Sequence, residues 1–208
     1  MITALPQEDI CFQLIKQLDN HFLMSEKEIE IIKSLMGEVI EKLTNNFSHN
    51  DNKYYHRGED VYFNPYHSGQ YTVFLYLYSK TVYDTGNNIL ADKIYYLNRM
   101  MNGCDLFYEI DLPEYFALDH PLGSVMGRAK YGNGFEFSQN CEVGNNNNIY
   151  PIIGENCYMC ACSAILGNSH IGNNVTIGAY ACVKDQNVPD NSTVFGESPN
   201  LIIKVKKQ

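Results

Sequence analysis

The sequence predicts an α+β protein in which an α-helical N-terminal domain precedes a left-handed parallel β-helix of hexapeptide repeats. Helix-period apolar stripes in the N-terminal half predict the first part. The second part is predicted by aliphatic or Met residues at an unbroken spacing of six: Ile153, Met159, Ile165, Ile171, Ile177 and Val183. We place the helical domain at residues 1–110, the β-helix at 111–203 and a short basic tail at 204–208.

A capping signal and amphipathic stripes indicate the helices. Ser25 opens an S-E-K-E capping box, and apolar residues follow at helical spacing as far as Leu43. This predicts one amphipathic helix of about five turns. The polar stretch 45–60 is predicted to be a loop or linker. Three other segments are helical candidates: 10–22, 71–83 and 89–101.

The six-residue period defines the β-helix. A period of six fits neither a helix nor a plain strand, so the unit is a short strand plus a turn, used three times per triangular coil. One aliphatic side chain per hexad points into the prism and stacks on its equivalents in neighbouring coils. Gly172, Asn173 and Asn174 suit the backbone angles of a corner. Functional groups are therefore expected on the outer faces.

Composition excludes several classes of protein. A net charge of −9 argues against nucleic-acid binding, which favours a basic surface. The sequence has no run of 18 apolar residues and no apolar leader, so we expect neither a membrane span nor a signal peptide. We therefore expect the protein to be cytoplasmic. The end of this acidic chain is basic, with three lysines: Lys204, Lys206 and Lys207. They are either a solvated tail or a contact for a phosphate group.

The seven cysteines raise the question of a metal site. Cys157, Cys160 and Cys162 form a C-x2-C-x-C pattern. Zinc sites usually use paired C-x2-C knuckles on loops, whereas these cysteines fall inside hexads. We therefore predict core or surface thiols and no metal. An odd count without a secretion signal also argues against a disulfide framework.

The candidate catalytic residue is His120, which lies between Asp119 and Pro121 where the coils begin. A lone His is usually structural, but at this position its ring should face away from the prism. Imidazoles titrate near neutral pH, so this ring could take a proton from a hydroxyl or amine that attacks a thioester. The alternative is a surface His with no role.

Residues 118–127 read L-D-H-P-L-G-S-V-M-G, which resembles the L-D-H-A-T-G-V-V-I-G motif of the serine acetyltransferases. Asn64-Pro65-Tyr66 resembles the D-P-A of that family. Further matches to family motifs follow in order at 138–144, 160–168 and 177–181. The resemblance covers residues 64–203. It implies a hexapeptide-repeat enzyme that passes acetyl from acetyl-CoA to a serine hydroxyl.

The resemblance implies roles for three residues near the first coil. His120 would be the general base, and Asp119 would lie at the acceptor site. In the family, an Asp in a V-D-I-H stretch orients the catalytic His, and residues 109–112 resemble that stretch. Asp111 is therefore the candidate partner, although it stands one hexad closer to His120 than the family pattern has it. Removing a hexad moves a position to another face.

The resemblance also implies where acetyl-CoA binds and how chains assemble. It places Gly144, Ala161 and Ala179 along the groove that holds the pantetheine arm, although coil geometry alone also explains these small residues. Lys204 is the candidate for a phosphate contact. A homo-oligomer is implied, either a trimer or a dimer of trimers, with each active site between neighbouring β-helices.

Departures from the family bear on the acceptor. Ile149-Tyr150-Pro151 replaces the R-H-P that helps to hold serine, so the cation that a carboxylate normally requires is missing. Asn64 replaces the Asp that contacts the amino group. Tyr150 either stacks on a sugar ring or simply packs. The extended tail that docks into the next enzyme of cysteine synthesis is absent, so that complex is not expected.

The sequence therefore predicts a CoA-dependent O-acetyltransferase, with serine as the family's acceptor. Three alternatives stay open. The acceptor could be a sugar or an amino alcohol, as in surface-polysaccharide assembly. The product could be an amide, from a sugar N-acetyltransferase of the same repeat class. The chain could also be a non-catalytic β-helix paralogue that keeps only the fold.

Overall fold

The computed structural model describes residues 1–205, so Lys206 and Lys207 of the predicted basic tail lie outside the described part. The chain forms two compact units, Met1–Asn102 and a second that starts at Gly103. The boundary thus comes earlier than the one expected after residue 110. Within residues 1–205, no helix has the length and apolar character needed to cross a membrane.

The first unit contains four α-helices, as the sequence predicts. They are α1 (Gln7–His21), α2 (Glu26–Ser48), α3 (Ser68–Asp84) and α4 (Asn88–Asn102). The predicted capping box is confirmed: the Ser25 hydroxyl accepts a hydrogen bond from the Glu28 N–H, and the Glu28 carboxylate accepts one from the Ser25 N–H at 2.8 Å. These contacts satisfy amide groups that a helix start otherwise leaves unpaired.

The prediction of a loop at 45–60 is wrong at both ends. Residues 45–48 complete α2, because Phe47 is fully buried and packs edge-on against Tyr55, with ring centroids 4.7 Å apart. The rest holds a short 3-10 helix (Lys53–Tyr55) and part of a small sheet. That sheet consists of β1 (Ile2–Thr3), β2 (His56–Arg57) and β3 (Asp60–Phe63). Tertiary packing overrides the polar composition of this segment.

The second unit is a parallel β-solenoid with three faces, each named here by its first strand. The β4 face holds β4 (Asp105–Leu106), β6 (Val125–Met126), β9 (Glu142–Gly144), β12 (Ala164–Leu166) and β15 (Cys182–Lys184). The β5 face holds β5 (Phe116–Leu118), β8 (Phe135–Phe137), β11 (Tyr158–Met159), β14 (Thr176–Ile177), β17 (Ser192–Phe195) and β18 (Ile202–Val205). The β7 face holds β7 (Lys130–Tyr131), β10 (Ile152–Ile153), β13 (His170–Ile171) and β16 (Asn187–Val188).

Strand pairing is parallel on every face, except that β18 turns back and pairs antiparallel with β17. Lys204, expected to open a tail, thus belongs to a strand. The six residues of the hexad repeat all point into the prism, and the most exposed of them, Ile171, has only 4% of its surface accessible. The predicted stacking core is therefore confirmed.

Asparagines hold one corner of the prism together. Asn156, Asn174 and Asn191 occupy equivalent positions in successive coils, each with a φ of 53° to 56°. Asn156 Nδ2 donates to Asn174 Oδ1 at 3.3 Å, and Asn174 Nδ2 donates to Asn191 Oδ1 at 3.1 Å. Asparagine tolerates the left-handed region better than most residues. The sequence prediction that Asn174 lies at a corner is confirmed.

Candidate active site

The candidate base lies where the β5 face turns into the β4 face. Its neighbour Asp119 continues the ladder, because the Asp119 N–H donates to the Phe137 carbonyl at 2.9 Å. His120 then adopts a φ of 51°, and its side chain is 89% exposed. The His120 Nε2 lies 3.7 Å from Asp119 Oδ1, which is ion-pair distance but too long for a hydrogen bond. The imidazole thus faces solvent beside a carboxylate.

The backbone at His120 differs from that of the later coils. At the same corner, Gly123, Asn140, Cys162 and Tyr180 are the left-handed residues of successive coils. His120 is an additional one, because the first coil takes a longer path from β5 to β6. A left-handed conformation is uncommon for a residue with a Cβ and often marks a functional position. It aims the ring away from the prism.

A second group of outward side chains, which includes a carboxylate and a phenol, lies on the outer surface of the β5 face. Ala117, Glu136 and Tyr158 are paired across β5, β8 and β11, so they stand side by side. The Tyr158 and Ser138 hydroxyls are hydrogen-bonded at 2.8 Å. Sequence reasoning missed Glu136, although a Glu between two aromatics in a hexad strand signals an outward carboxylate.

Burial, hydrogen bonding and nearby charges shift two pKa values in this region. Partial burial, reinforced by the negative charge of Asp119, raises the pKa of Glu136. The hydrogen bond with Ser138 lowers the pKa of Tyr158, but burial and the charges nearby outweigh it, so the net direction is upward. Both shifts disfavour the ionised form.

Two further predicted site residues, Asp111 and Asn64, belong to other segments of the chain. Asp111 is exposed in the segment that leads to β5. Asn64 belongs to the helical unit, where its Oδ1 accepts a hydrogen bond from the Tyr66 N–H at 3.0 Å. That bond uses the Asn64 side chain to support the turn before α3.

Tyr150 borders a shallow depression of about 440 Å³ on the β7 face. Arg128 and Lys130 line the same depression, and the Arg128 guanidinium pairs with the Glu109 carboxylate. A tight turn at Asn147 and Asn148 leads to it, with both φ values positive as in a type I′ turn. Tyr150 is 40% exposed, so this residue is accessible to a ligand.

Of the residues predicted to bind acetyl-CoA, the structure brings Ala161 and Ala179 close together and places Gly144 and Lys204 on other strands. Ala161 and Ala179 lie at one corner in neighbouring coils, where the Tyr180 N–H donates to the Ala161 carbonyl at 3.1 Å. Gly144 lies at the far edge of the β4 face, paired with Leu166. Lys204 lies on β18, with its Nζ 5.5 Å from the centre of the Phe195 ring.

The cysteines at the Ala161 corner are thiols. All seven cysteines are free, and Cys160, Cys162 and Cys182 are partly exposed. Burial raises the pKa of Cys160 and outweighs the hydrogen bond from the Ala179 backbone, which lowers it. A thiol kept protonated is a poor nucleophile. Within residues 1–205, no group of three or more His, Cys, Asp or Glu side chains is placed to hold a metal ion.

Comparison with known proteins gives one consistent family name. The chain is 28% identical over 154 residues to a serine acetyltransferase from Staphylococcus aureus, and 29% identical over 154 residues to one from Staphylococcus epidermidis. Each alignment covers 66% of this chain and 66% of the relative, so the chain spans about two thirds of the length of these proteins. No family model matches the sequence.

Solved structures share the fold. A serine acetyltransferase from Neisseria gonorrhoeae superposes with a TM-score of 0.75 at 21% identity, covering 96% of this chain and 79% of that chain. One from Brucella abortus gives a TM-score of 0.69 at 19% identity, covering 98% of this chain and 85% of that chain. The order of helices and solenoid is therefore that of these structures.

Proposed function

We propose that this chain, a divergent relative of the serine acetyltransferases, is an O-acetyltransferase that moves acetyl from acetyl-CoA to a hydroxyl acceptor. The observation that carries the proposal is His120, held in a left-handed conformation with its ring exposed beside Asp119. The matching relatives carry the same activity in their names, and a Brucella abortus relative has been solved with coenzyme A and a Neisseria gonorrhoeae relative with serine.

In the proposed reaction, neutral His120 takes the proton of the acceptor hydroxyl. The hydroxyl oxygen then forms a bond to the carbonyl carbon of the thioester, and the carbon–sulfur bond breaks. The CoA thiolate leaves with the electron pair and receives the proton from the imidazolium. Backbone N–H groups would stabilise the oxyanion. No step needs a metal or a cysteine nucleophile.

Asp119 has a different role from His120 in this proposal. Its carboxylate stabilises the imidazolium across 3.7 Å and faces the bound acceptor. Asp111 remains the candidate that orients the ring, as the resemblance implies. Asn64 is the weaker acceptor candidate, because its Oδ1 already accepts from the Tyr66 N–H.

Small residues at one corner suit the pantetheine arm of acetyl-CoA. Ala161 is partly exposed and Ala179 is exposed, so neither side chain blocks access to the backbone. Gly144 and Lys204 complete the proposed contacts, with the Lys204 ammonium directed to a phosphate. We also propose a cytoplasmic homo-oligomer, a trimer or a dimer of trimers. Light scattering on the purified protein measures its size.

The first test is the release of free CoA from acetyl-CoA with L-serine, for the wild type and His120→Asn. Asparagine accepts a φ of 51° and cannot act as the base, so the variant removes the chemistry and keeps the backbone. We expect turnover to fall by about 10²- to 10⁴-fold, the usual contribution of a general base. His170→Asn on the exposed face of β13 is the matched control and should be silent.

Three outcomes are informative. If His120→Asn retains more than a third of wild-type turnover, His120 is not the base. If CoA binding falls as much as turnover, the residue acts on the nucleotide instead. If the wild type binds acetyl-CoA but leaves serine untouched, a sugar hydroxyl is the next acceptor, favoured by the exposed Tyr150 ring.

A further inference from the structure

Tyr180 presents an exposed aromatic ring from a corner of the solenoid. Its φ is 61°, and the residue is 79% exposed. Among residues 1–205, none forms a hydrogen bond or a ring contact with the Tyr180 side chain. A left-handed backbone is uncommon for a large residue, and here no packing within the chain compensates for it. This combination indicates that the ring contacts something outside the chain.

Tyr180 lies on the same corner of the prism as the candidate base. Backbone hydrogen bonds link this corner from coil to coil, from Leu122 through Asn140 and Cys162 to Tyr180. His120 lies at the start of this series, two residues before Leu122. Three coil spacings of about 4.8 Å therefore separate the coil of His120 from Tyr180, a distance of about 14 Å along the solenoid.

The pantetheine arm of acetyl-CoA has a matching length. It contains about twelve bonds between its sulfur and the diphosphate, which at the reach of an extended backbone span about 13–14 Å. The corner between the two ends is open, because Ala161 and Ala179 carry small side chains and are at least partly exposed. A thioester placed at His120, with its arm along this corner, thus brings the nucleotide to Tyr180.

The surface next to Tyr180 suits a nucleotide. The Phe195 ring lies over Gly178, where a Cβ would stand 2.7 Å from the Phe195 Cδ1, so glycine is needed for this close approach. Phe195 is itself partly exposed, and the Lys204 Nζ lies 5.5 Å from the centre of its ring. Aromatic faces stack on bases, and an ammonium group attracts phosphate. Both kinds of group are therefore present at this end of the solenoid.

We propose that Tyr180 binds the adenine of acetyl-CoA, with its ring stacked on the purine. Stacking suits an exposed ring that makes no contact within the chain, because a purine can cover its face. Lys204 then pairs with the phosphate groups of the same nucleotide. This inference rests on the proposed acetyltransferase function and assigns the residue that holds the nucleotide end of the co-substrate.

The test removes the ring and keeps the backbone. Tyr180→Gly suits a φ of 61°, so the variant should fold at least as well as the wild type. Titration calorimetry measures Kd for CoA and for phosphopantetheine, which lacks the nucleoside. We expect Tyr180→Gly to weaken CoA binding about 5- to 100-fold, as for the loss of one base–aromatic stack, and to change phosphopantetheine binding less than about twofold.

Two control variants bracket this result. Tyr180→Phe keeps the aromatic face, so its Kd for CoA should stay within about threefold of the wild-type value. Phe12→Ala removes an exposed ring from α1 in the helical unit, and it should change the binding of neither ligand. Unchanged CoA binding by Tyr180→Gly, or an equal loss for CoA and phosphopantetheine, overturns the inference.

Binding of ADP separates failure of this inference from failure of the proposed function. The wild type should bind ADP and Tyr180→Gly should lose that binding, even if no acetyl is transferred. If the wild type turns over acetyl-CoA but does not bind ADP, the inference is wrong and the proposed function stands. A smaller particle for Tyr180→Gly in light scattering would show that the ring packs between copies of the chain, which also overturns the inference.

Discussion

Replacing His120 by glycine and by alanine should reveal the energetic cost of holding this side chain in place. At a φ of 51°, a residue with a Cβ is strained by roughly 1–2 kcal/mol, a cost that glycine avoids. Glycine also has a more disordered unfolded state, which costs about 0.5–1 kcal/mol relative to alanine. The difference leaves His120→Gly more stable than His120→Ala by about 0.5–1 kcal/mol.

The order should reverse at the control position. His170 lies in β13, where the backbone is extended, so His170→Gly should be less stable than His170→Ala by about 0.5–1 kcal/mol. Urea unfolding of the four variants, followed by circular dichroism, measures both differences. If the alanine variant is more stable than the glycine variant at both positions, the left-handed backbone at His120 is not strained. The conformation of His120 would then no longer indicate a functional position.

Three further predictions concern stability and reactivity. Because the pKa of Glu136 is raised in the folded state, ionisation of this carboxyl lowers the free energy of unfolding as pH rises; the stability of the wild type relative to Glu136→Gln should therefore fall between acid and neutral pH in urea unfolding, and a difference that stays constant would contradict this. Ile165→Ala should destabilise the solenoid by about 2–5 kcal/mol, because Ile165 is fully buried. Ile152→Ala should cost less than about 1 kcal/mol, because Ile152 is exposed. Similar losses of stability for the two variants in thermal unfolding would refute the placement of Ile165 in the core. Iodoacetamide should label at most three of the seven thiols in the native protein and all seven in denaturant, as counted by mass spectrometry. The four buried thiols should stay unlabelled in the native protein, and their labelling would contradict the burial: Cys11, Cys104, Cys141 and Cys157.

Much of the fold was predictable because its determinants are periodic along the chain. A spacing of six indicates a β-helix, since few other structures bury one residue in every six. The capping box at Ser25 locates the start of α2 for a similarly local reason. The end of α2 was not predictable in this way. Phe47 extends the helix by packing on Tyr55, a contact that the intervening polar residues conceal.

The sequence by itself determined the coil period and placed His120 next to Asp119, because both depend on neighbours in the chain. Only the tertiary structure decided that Glu136 stands beside Ala117 and close to Asp119. Coils of unequal length bring these residues together, and no fixed spacing in the sequence encodes that register. The candidate base and its carboxylate neighbour are thus adjacent in the chain, whereas the polar side chains beside them depend on how the coils stack.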